Sequence, residues 1–221
     1  MRISDSPAKA AFVPTFELEA VEFELAGGVI AGVDEAGRGP WAGPVVAAAV
    51  ILDPKNLPPG INDSKALDED ARETVYRRIV ATSQFAVGIA EVERIDRDNI
   101  LAATMWAMSE AVARLSPIPR LVLIDGNKAP RLSMDSRTIV KGDAKCLSIA
   151  AASIIAKVTR DRMMMALAEA CPGYGFERHK GYGTPEHKAA LAKLGVSAHH
   201  RRSFKPVQLA LGLEDAGVAA E

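Results

Sequence analysis

Three short apolar runs in this chain each hand on to a carboxylate. Residues 29–33 lead into Asp34-Glu35, Leu121-Val122-Leu123-Ile124 ends on Asp125-Gly126-Asn127, and Thr138-Ile139-Val140 ends on Lys141-Gly142-Asp143. Runs this short and this apolar fit strands buried in a sheet, and the carboxyl ends of such strands are where an α/β sheet presents its functional residues. One Asp-Gly after a strand is an ordinary turn. Three such endings in one sheet argue for something more, because they bring like charges toward a common rim.

Helical periodicity fills the intervals. Residues 68–81 place Ala71, Val75 and Ile79 on one face, and residues 96–115 repeat Leu101, Thr104, Met105, Met108, Val112 and Leu115 at three-and-four spacing before Pro117. Residues 44–52 and 84–92 read as two further strands, the first bounded by prolines. Residues 146–170 form a long Ala-rich helix, and a last helix has Thr184 as N-cap, Pro185 at N1 and Gly195 beyond its end. Strands alternating with helices, then a helical and basic tail, predict an α/β fold.

The chain has 221 residues, of which 48% are apolar and 25% charged, enough for a cored fold of one or two domains. Cys146 and Cys171 form no C-x-x-C pair, so no disulfide framework or cysteine-rich zinc knuckle is legible and a reducing compartment is expected. No apolar stretch reaches about 18 residues, and residues 1–16 carry a single Arg2 without an apolar core, so neither a membrane span nor a signal peptide is predicted. The expected location is the cytoplasm, and the Asn62-Asp63-Ser64 sequon is then coincidental. Net charge is −1, yet residues 178–205 hold seven Lys or Arg and all four histidines, which predicts a basic face. A near-neutral chain predicts modest nucleic-acid affinity, with the salt dependence of a few phosphate contacts.

Carboxylates gathered at one rim repel, and a hard divalent cation such as magnesium or manganese relieves that repulsion. Asp34 and Glu35 point to opposite faces of a strand, so both reach one site only if the strand ends or bulges, an exit that Gly37 and Gly39 would permit. Gly37-Arg38-Gly39-Pro40 is not a dinucleotide fingerprint, since glycines at 37, 39 and 43 are spaced one residue too far apart. It does let main chain approach a ligand while Arg38 addresses a phosphate. Ser153, Lys157, Arg160 and Asp161 fall on one stripe of the long helix, either a solvated face or a phosphate contact. Tyr174-Gly175-Phe176 and His179-Lys180-Gly181-Tyr182 interleave aromatics with basic residues, which suits a ring packed on a sugar beside a phosphate, or else a core tyrosine. A zinc site from Cys171, His179, His187 and His199 or His200 lacks compact ligand spacing.

Taken together, Gly32 to Pro40, Asp63-Ser64-Lys65, Asp125-Gly126-Asn127, Lys141-Gly142-Asp143, Ala151 to Val158 and His179-Lys180-Gly181-Tyr182 resemble ribonuclease HII, in order and at that family's spacing, over residues 29–211. The resemblance implies a ribonuclease H-like mixed five-stranded sheet flanked by helices, with a helical C-terminal extension; the first three strands are antiparallel neighbours and the later two parallel. Residues 1–28 and the last ten fall outside the resemblance and carry no functional reading; the expected division is an N-terminal extension over 1–28, a catalytic domain over 29–170, and a helical region over 171–221 that completes the substrate-binding face. The implied activity is endonucleolytic cleavage of RNA in RNA·DNA hybrids and 5′ of single ribonucleotides in duplex DNA, giving 3′-hydroxyl and 5′-phosphate ends. Asp34, Glu35, Asp125 and Asp143 resemble the family's metal-binding carboxylates, which hold two Mg2+ or Mn2+ ions about 4 Å apart across the scissile phosphate, one activating water and one stabilising the leaving oxygen. Asp34 is expected to bridge them, with Asp143 on the water-activating side and Glu35 and Asp125 on the other. Gly37, Arg38 and Gly39 resemble the element that reads the 2′-hydroxyl, and Tyr182 the ring that packs on the adjoining deoxyribose. Lys65, Ser153, Lys157 and Lys180 are expected to bind substrate. Trp41 stands where a smaller aliphatic residue is expected and would alter packing behind the glycine turn. A monomer is expected. A ribonuclease H-like nuclease acting on DNA is the alternative enzyme; a non-catalytic nucleic-acid-binding module is disfavoured because acidic residues only hinder binding of a polyanion.

Overall fold

The computed structural model describes residues 13–213. Its five strands, β1 (Ile30–Ala36), β2 (Val45–Ile51), β3 (Gln84–Ala90), β4 (Leu121–Asp125) and β5 (Asp135–Ile139), form one sheet in the order β3-β2-β1-β4-β5. β1, β2 and β3 pair antiparallel, while β4 joins β1, and β5 joins β4, in parallel. This is the mixed sheet the resemblance implies. The parallel pairing follows from the connections, since the chain passes through α3 (Val92–Asp98) and α4 (Ile100–Ala113) between β3 and β4 and so re-enters the sheet in the direction of β1.

Every residue of β2 is buried because helices cover both faces. Ala31, Val33, Val45, Ala47 and Ala49 pack with Ala103, Ala107, Met108 and Ala111 of α4. On the other face Ala48 and Val50 pack with Ala151, Ala152 and Ile155 of α5 (Leu147–Ala170) and with Val75 and Ile79 of α2 (Glu69–Thr82). Small residues let both helices lie close. A Cβ on Gly32 would fall 2.2 Å from the Ser148 carbonyl carbon, and one on Gly88 would fall 2.0 Å from the Ala107 oxygen.

Four local features differ from the sequence expectation. The helix read as 96–115 is two helices, because Asn99 takes φ 69° and its side chain accepts hydrogen bonds from the Leu101 and Ala102 N–H groups, capping α4. β1 runs on to Ala36, and β5 lies earlier than 138–140, at Asp135–Ile139. Four of its five residues are exposed, so at the sheet's border it carries no apolar run to betray it. The acidic segment 17–24 lies in a helix, α1 (Glu17–Ala26), whose Glu19 is buried and accepts from the Ser148 N–H at 2.6 Å, at the positive end of α5, while Glu22 pairs with Arg137. Part of the segment read as an extension therefore packs on the sheet and on α5.

The C-terminal region holds α6 (Phe176–His179), α7 (Pro185–Leu194) and α8 (Lys205–Ala210). α7 begins and ends as its sequence predicts, with the Thr184 side chain accepting from the His187 N–H and Gly195 at φ 76°. Among the described residues no helix is long and apolar enough to cross a membrane. The leader reading for residues 1–12, and any reading of 214–221, lie outside the described residues.

Replacing Gly32 with alanine forces α5 away from β1. The expected cost is about 1–3 kcal/mol in urea denaturation, and an unchanged midpoint would contradict this packing.

Candidate active site

Because β1, β4 and β5 run parallel, their carboxyl ends share one rim. Val33 is registered with Ile124, so Asp34 and Asp125 come next on their two strands. Asp143 lies not at a strand end but on a 3-10 turn, Gly142–Ala144, which is tied to β4 by the Gly142 N–H donating to Asp125 Oδ1 at 2.7 Å. Asp34 and Glu35 lie inside β1 rather than after it. Pairing with β4 stops at Val33 while pairing with β2 continues to Ala36, so no bulge is needed: beyond Val33 the strand is bound on one side only. The two side chains straddle the sheet, Asp34 on the α5 face with Gly32, and Glu35 in a cavity with Leu101, Met105, Met108 and Asp125.

Asp34 is 5% exposed. Its carboxyl is held well above the ordinary range, first by burial and then by repulsion from Glu35 and Asp125, with a smaller push from Asp143. Glu35 is raised by burial, partly offset by Arg38, and Asp125 is raised by burial and by Asp143. Two cations stand among them: Arg38 Nη1 lies 3.3 Å from Glu35 Oε1, and Lys65 Nζ lies 3.5 Å from Asp143 Oδ2. The Lys65 side chain is 78% exposed, so that pair is weak and easily exchanged.

Among the described residues, no three Asp, Glu, His or Cys side chains are already drawn into a shell that could hold a metal ion. The donor chemistry nevertheless fits one. These are hard carboxylate oxygens on one rim, three of the four groups raised by burial and like charge, and a divalent cation relieves that strain by drawing them inward.

Beside the carboxylates the chain turns through Gly37 at φ 95°, where a Cβ would fall 2.0 Å from Arg160 Nε. Arg38 is exposed, and a Cβ on Gly39 would lie 3.6 Å from the Tyr182 ring. Tyr182 is 44% exposed and is no core tyrosine. The structure thus brings Gly37, Arg38, Gly39 and Tyr182 together next to the acidic rim. Trp41 packs behind the turn as expected, against Gly183 and the ring of His187.

Two members of the stripe on α5 are neither solvated nor available to a phosphate. Ser153 is 4% exposed and its hydroxyl lies 2.7 Å from that of Ser64, while Arg160 is fully buried. α5 is packed between the sheet, α2 and the C-terminal region, and Ser153 and Arg160 lie on its covered sides. Lys157 is half-buried and pairs with Asp161 at 2.8 Å. Lys180 donates to the Glu177 carbonyl and lies 3.3 Å from Met165 Sδ, among residues of α2 and α5 rather than on the acidic rim.

The basic face is also smaller than its composition. Arg201 is buried, and so are His179, His187 and His200, which pack around Phe176 in the core of the C-terminal region. Their hydrogen bonds define neutral tautomers. His187 Nδ1 donates to the Tyr182 carbonyl, so its Nε2 accepts from His200 Nε2 at 3.0 Å, and His200 Nδ1 accepts from the Ser197 N–H. These are structural histidines with no zinc arrangement. Arg160 and Arg201 belong in sequence to a polar stripe and to a basic tail, and no local signal marks either as buried.

The ribonuclease HII family model matches residues 31–207. The ribonuclease HII of Rhodopseudomonas palustris strain BisB18 is 57% identical over 194 residues, covering 88% of this chain and 73% of its own length. The ribonuclease H2 crystal structure from Pyrococcus horikoshii OT3 superposes with a TM-score of 0.70 at 26% identity, covering 82% of this chain and 96% of that one. Ribonuclease HII of Archaeoglobus fulgidus, seen in a complex with PCNA, superposes with a TM-score of 0.69 at 27% identity, covering 80% and 95%.

The histidine cluster sets a pH response. Burial and the neighbouring His187 push His200 from about 6.5 down to about 4, so below pH 6.5 the unfolded chain takes up a proton that the native chain refuses. Stability from this source falls as pH drops from 6.5 toward 4, by on the order of 3 kcal/mol. The raised rim carboxylates act with the opposite sign, so the comparison is made against His200→Asn, which keeps the acceptor toward Ser197 and should flatten the slope over that window. Identical slopes in pH-dependent denaturation would exclude the neutral cluster.

Proposed function

The chain belongs to the ribonuclease HII family, and from that premise we propose that it cuts the RNA strand of RNA·DNA hybrids and duplex DNA carrying single ribonucleotides. Cleavage falls 5′ of the ribonucleotide and leaves a 3′-hydroxyl and a 5′-phosphate. The observation that supports this best is the adjacency of two elements: the carboxylate rim of Asp34, Glu35, Asp125 and Asp143, and the turn of Gly37, Arg38 and Gly39 facing Tyr182.

In this reading the four carboxylates hold Mg2+ or Mn2+. When bound, such ions supply Lewis-acid charge at the phosphate and a water more easily deprotonated. The remaining work belongs to the chain. Gly37 leaves room for Arg160 behind the turn, and exposed Gly39 lacks side-chain bulk in front of it, so main-chain groups can come within hydrogen-bond reach of a 2′-hydroxyl, the one group that separates ribose from deoxyribose. Exposed Arg38 and Lys65 bring positive charge to the backbone phosphates around an otherwise acidic rim. The open Tyr182 ring offers a flat apolar surface to the sugar on the DNA side, where a 2′-hydroxyl would be excluded by contact. Lys157 and Lys180 serve substrate binding from the flank, whereas Ser153 contributes by holding Ser64, next to Lys65, in place. The enzyme works as a cytoplasmic monomer.

The decisive assay incubates the protein with an end-labelled DNA duplex containing one ribonucleotide, with and without magnesium or manganese, beside an all-DNA control. Metal-dependent cutting 5′ of the ribonucleotide with the control intact is expected; cutting of the control would identify a DNA nuclease, and binding without cutting a binding module. Asp34→Asn is expected to keep duplex binding and lose about 100-fold or more in turnover, and unchanged turnover would remove Asp34 from the metal site. Tyr182→Ala is expected to lower cleavage at RNA–DNA junctions more than in continuous hybrids, whereas equal losses would make the ring merely structural.

A further inference from the structure

Two consecutive residues near the carboxyl end grip both recognition elements. Arg201 donates from Nε to the Gly43 carbonyl and from Nη1 to the Arg38 carbonyl, each at 2.9 Å, and from Nη2 to the carbonyls of Gly37 and Pro44. Its own N–H donates to the Trp41 carbonyl at 2.8 Å, and the Trp41 N–H donates to the Gly181 carbonyl at 2.8 Å. Its neighbour His200 reaches the Tyr182 carbonyl through His187. Residues 200 and 201 therefore strap the glycine turn to the segment that carries Tyr182.

Arg160 completes the arrangement from α5, donating to the carbonyls of Pro44 and Ala42. Both guanidiniums are fully buried, and the hydrogen bonds they make all go to main-chain carbonyls of residues 37–44. Burying two like charges without a carboxylate between them is costly, and burial together with Arg160 pushes Arg201 down to about 9. What that cost achieves is geometric. A planar fork with five donors satisfies several carbonyls of an irregular loop at once and leaves that loop one conformation.

We propose that Arg201 is a positioning residue for substrate choice: it sets the separation between the Gly37–Gly39 turn and the Tyr182 ring, and so the preference for RNA–DNA junctions over continuous hybrids. The proposal rests on the roles given above to those two elements. Lysine at this position keeps the charge but not the fork.

The test compares the parent, Arg201→Lys, Tyr182→Ala and the double variant on a single-ribonucleotide duplex and on a continuous RNA·DNA hybrid. Two quantities are read: kcat/KM with magnesium, and Kd in EDTA by fluorescence anisotropy. Arg201→Lys is expected to lower the junction preference about tenfold in kcat/KM, to shift the Kd ratio in the same direction, and to add little in the Tyr182→Ala background, because both changes remove one geometry. Equal losses on the two substrates, or effects that multiply in the double variant, would make Arg201 a structural residue only and overturn the proposal. Failure of the parent to cut either substrate would overturn the functional reading and the proposal together, whereas a junction-preferring parent whose preference survives Arg201→Lys overturns the proposal alone. If Arg201→Lys does not fold by circular dichroism, His200→Asn replaces it; it loosens only the Tyr182 end, and it must lower the same preference for the proposal to stand.

Discussion

Like charge held at a buried rim governs this molecule. Asp34 sits on the central strand, almost out of water, with Glu35, Asp125 and Asp143 close enough to raise its proton affinity. A carboxylate in that position is a standing cost to the fold, and only well-packed surroundings can hold it there. The sheet supplies them: β2 is buried throughout, and the glycines at 32 and 88 let α5 and α4 lie against its two faces. The site's chemistry and the core's tightness are thus two sides of one arrangement, since looser helices would admit water, lower the proton affinities and weaken the case for a cation.

The opposite charge is buried a few residues away, under the glycine turn. The hydrogen bonds that Arg160 and Arg201 make go to main-chain carbonyls, so they stiffen the turn without pairing with the rim carboxylates. The exposed cations Arg38 and Lys65 do the reverse. They are loosely paired with Glu35 and Asp143 and stay open to solvent. The buried arginines hold the turn and the exposed cations flank the rim, a division that net charge conceals.

Much of the fold could be read locally. Apolar runs marked β1, β2 and β4, heptad-like spacing marked α2 and α4, and Thr184, Pro185 and Gly195 marked α7, because strand burial, helix periodicity and capping each act within a few residues. β5 is not legible in this way because a strand at the sheet's border buries little, and neither is the break at Asn99, because a cap in mid-pattern interrupts no periodicity. α1 carried no signal beyond acidity, although Glu19 and Glu22 turned out to face partners on α5 and β5.

At the site, the sequence alone determined which groups are available: four carboxylates after or within apolar runs, a turn with two glycines around an arginine, and a tyrosine among basic residues. Only the tertiary structure decided which polar residues face water. Ser153 and Arg160 left the solvated stripe, and Arg201 and three histidines left the basic face, for partners as far as 164 residues away in the chain. A buried guanidinium is stable where carbonyls converge on it, and their convergence is set by how loops pack across the sheet. No short-range pattern carries that information, which is why an arginine that organises the glycine turn reads in sequence as one more charge in a tail.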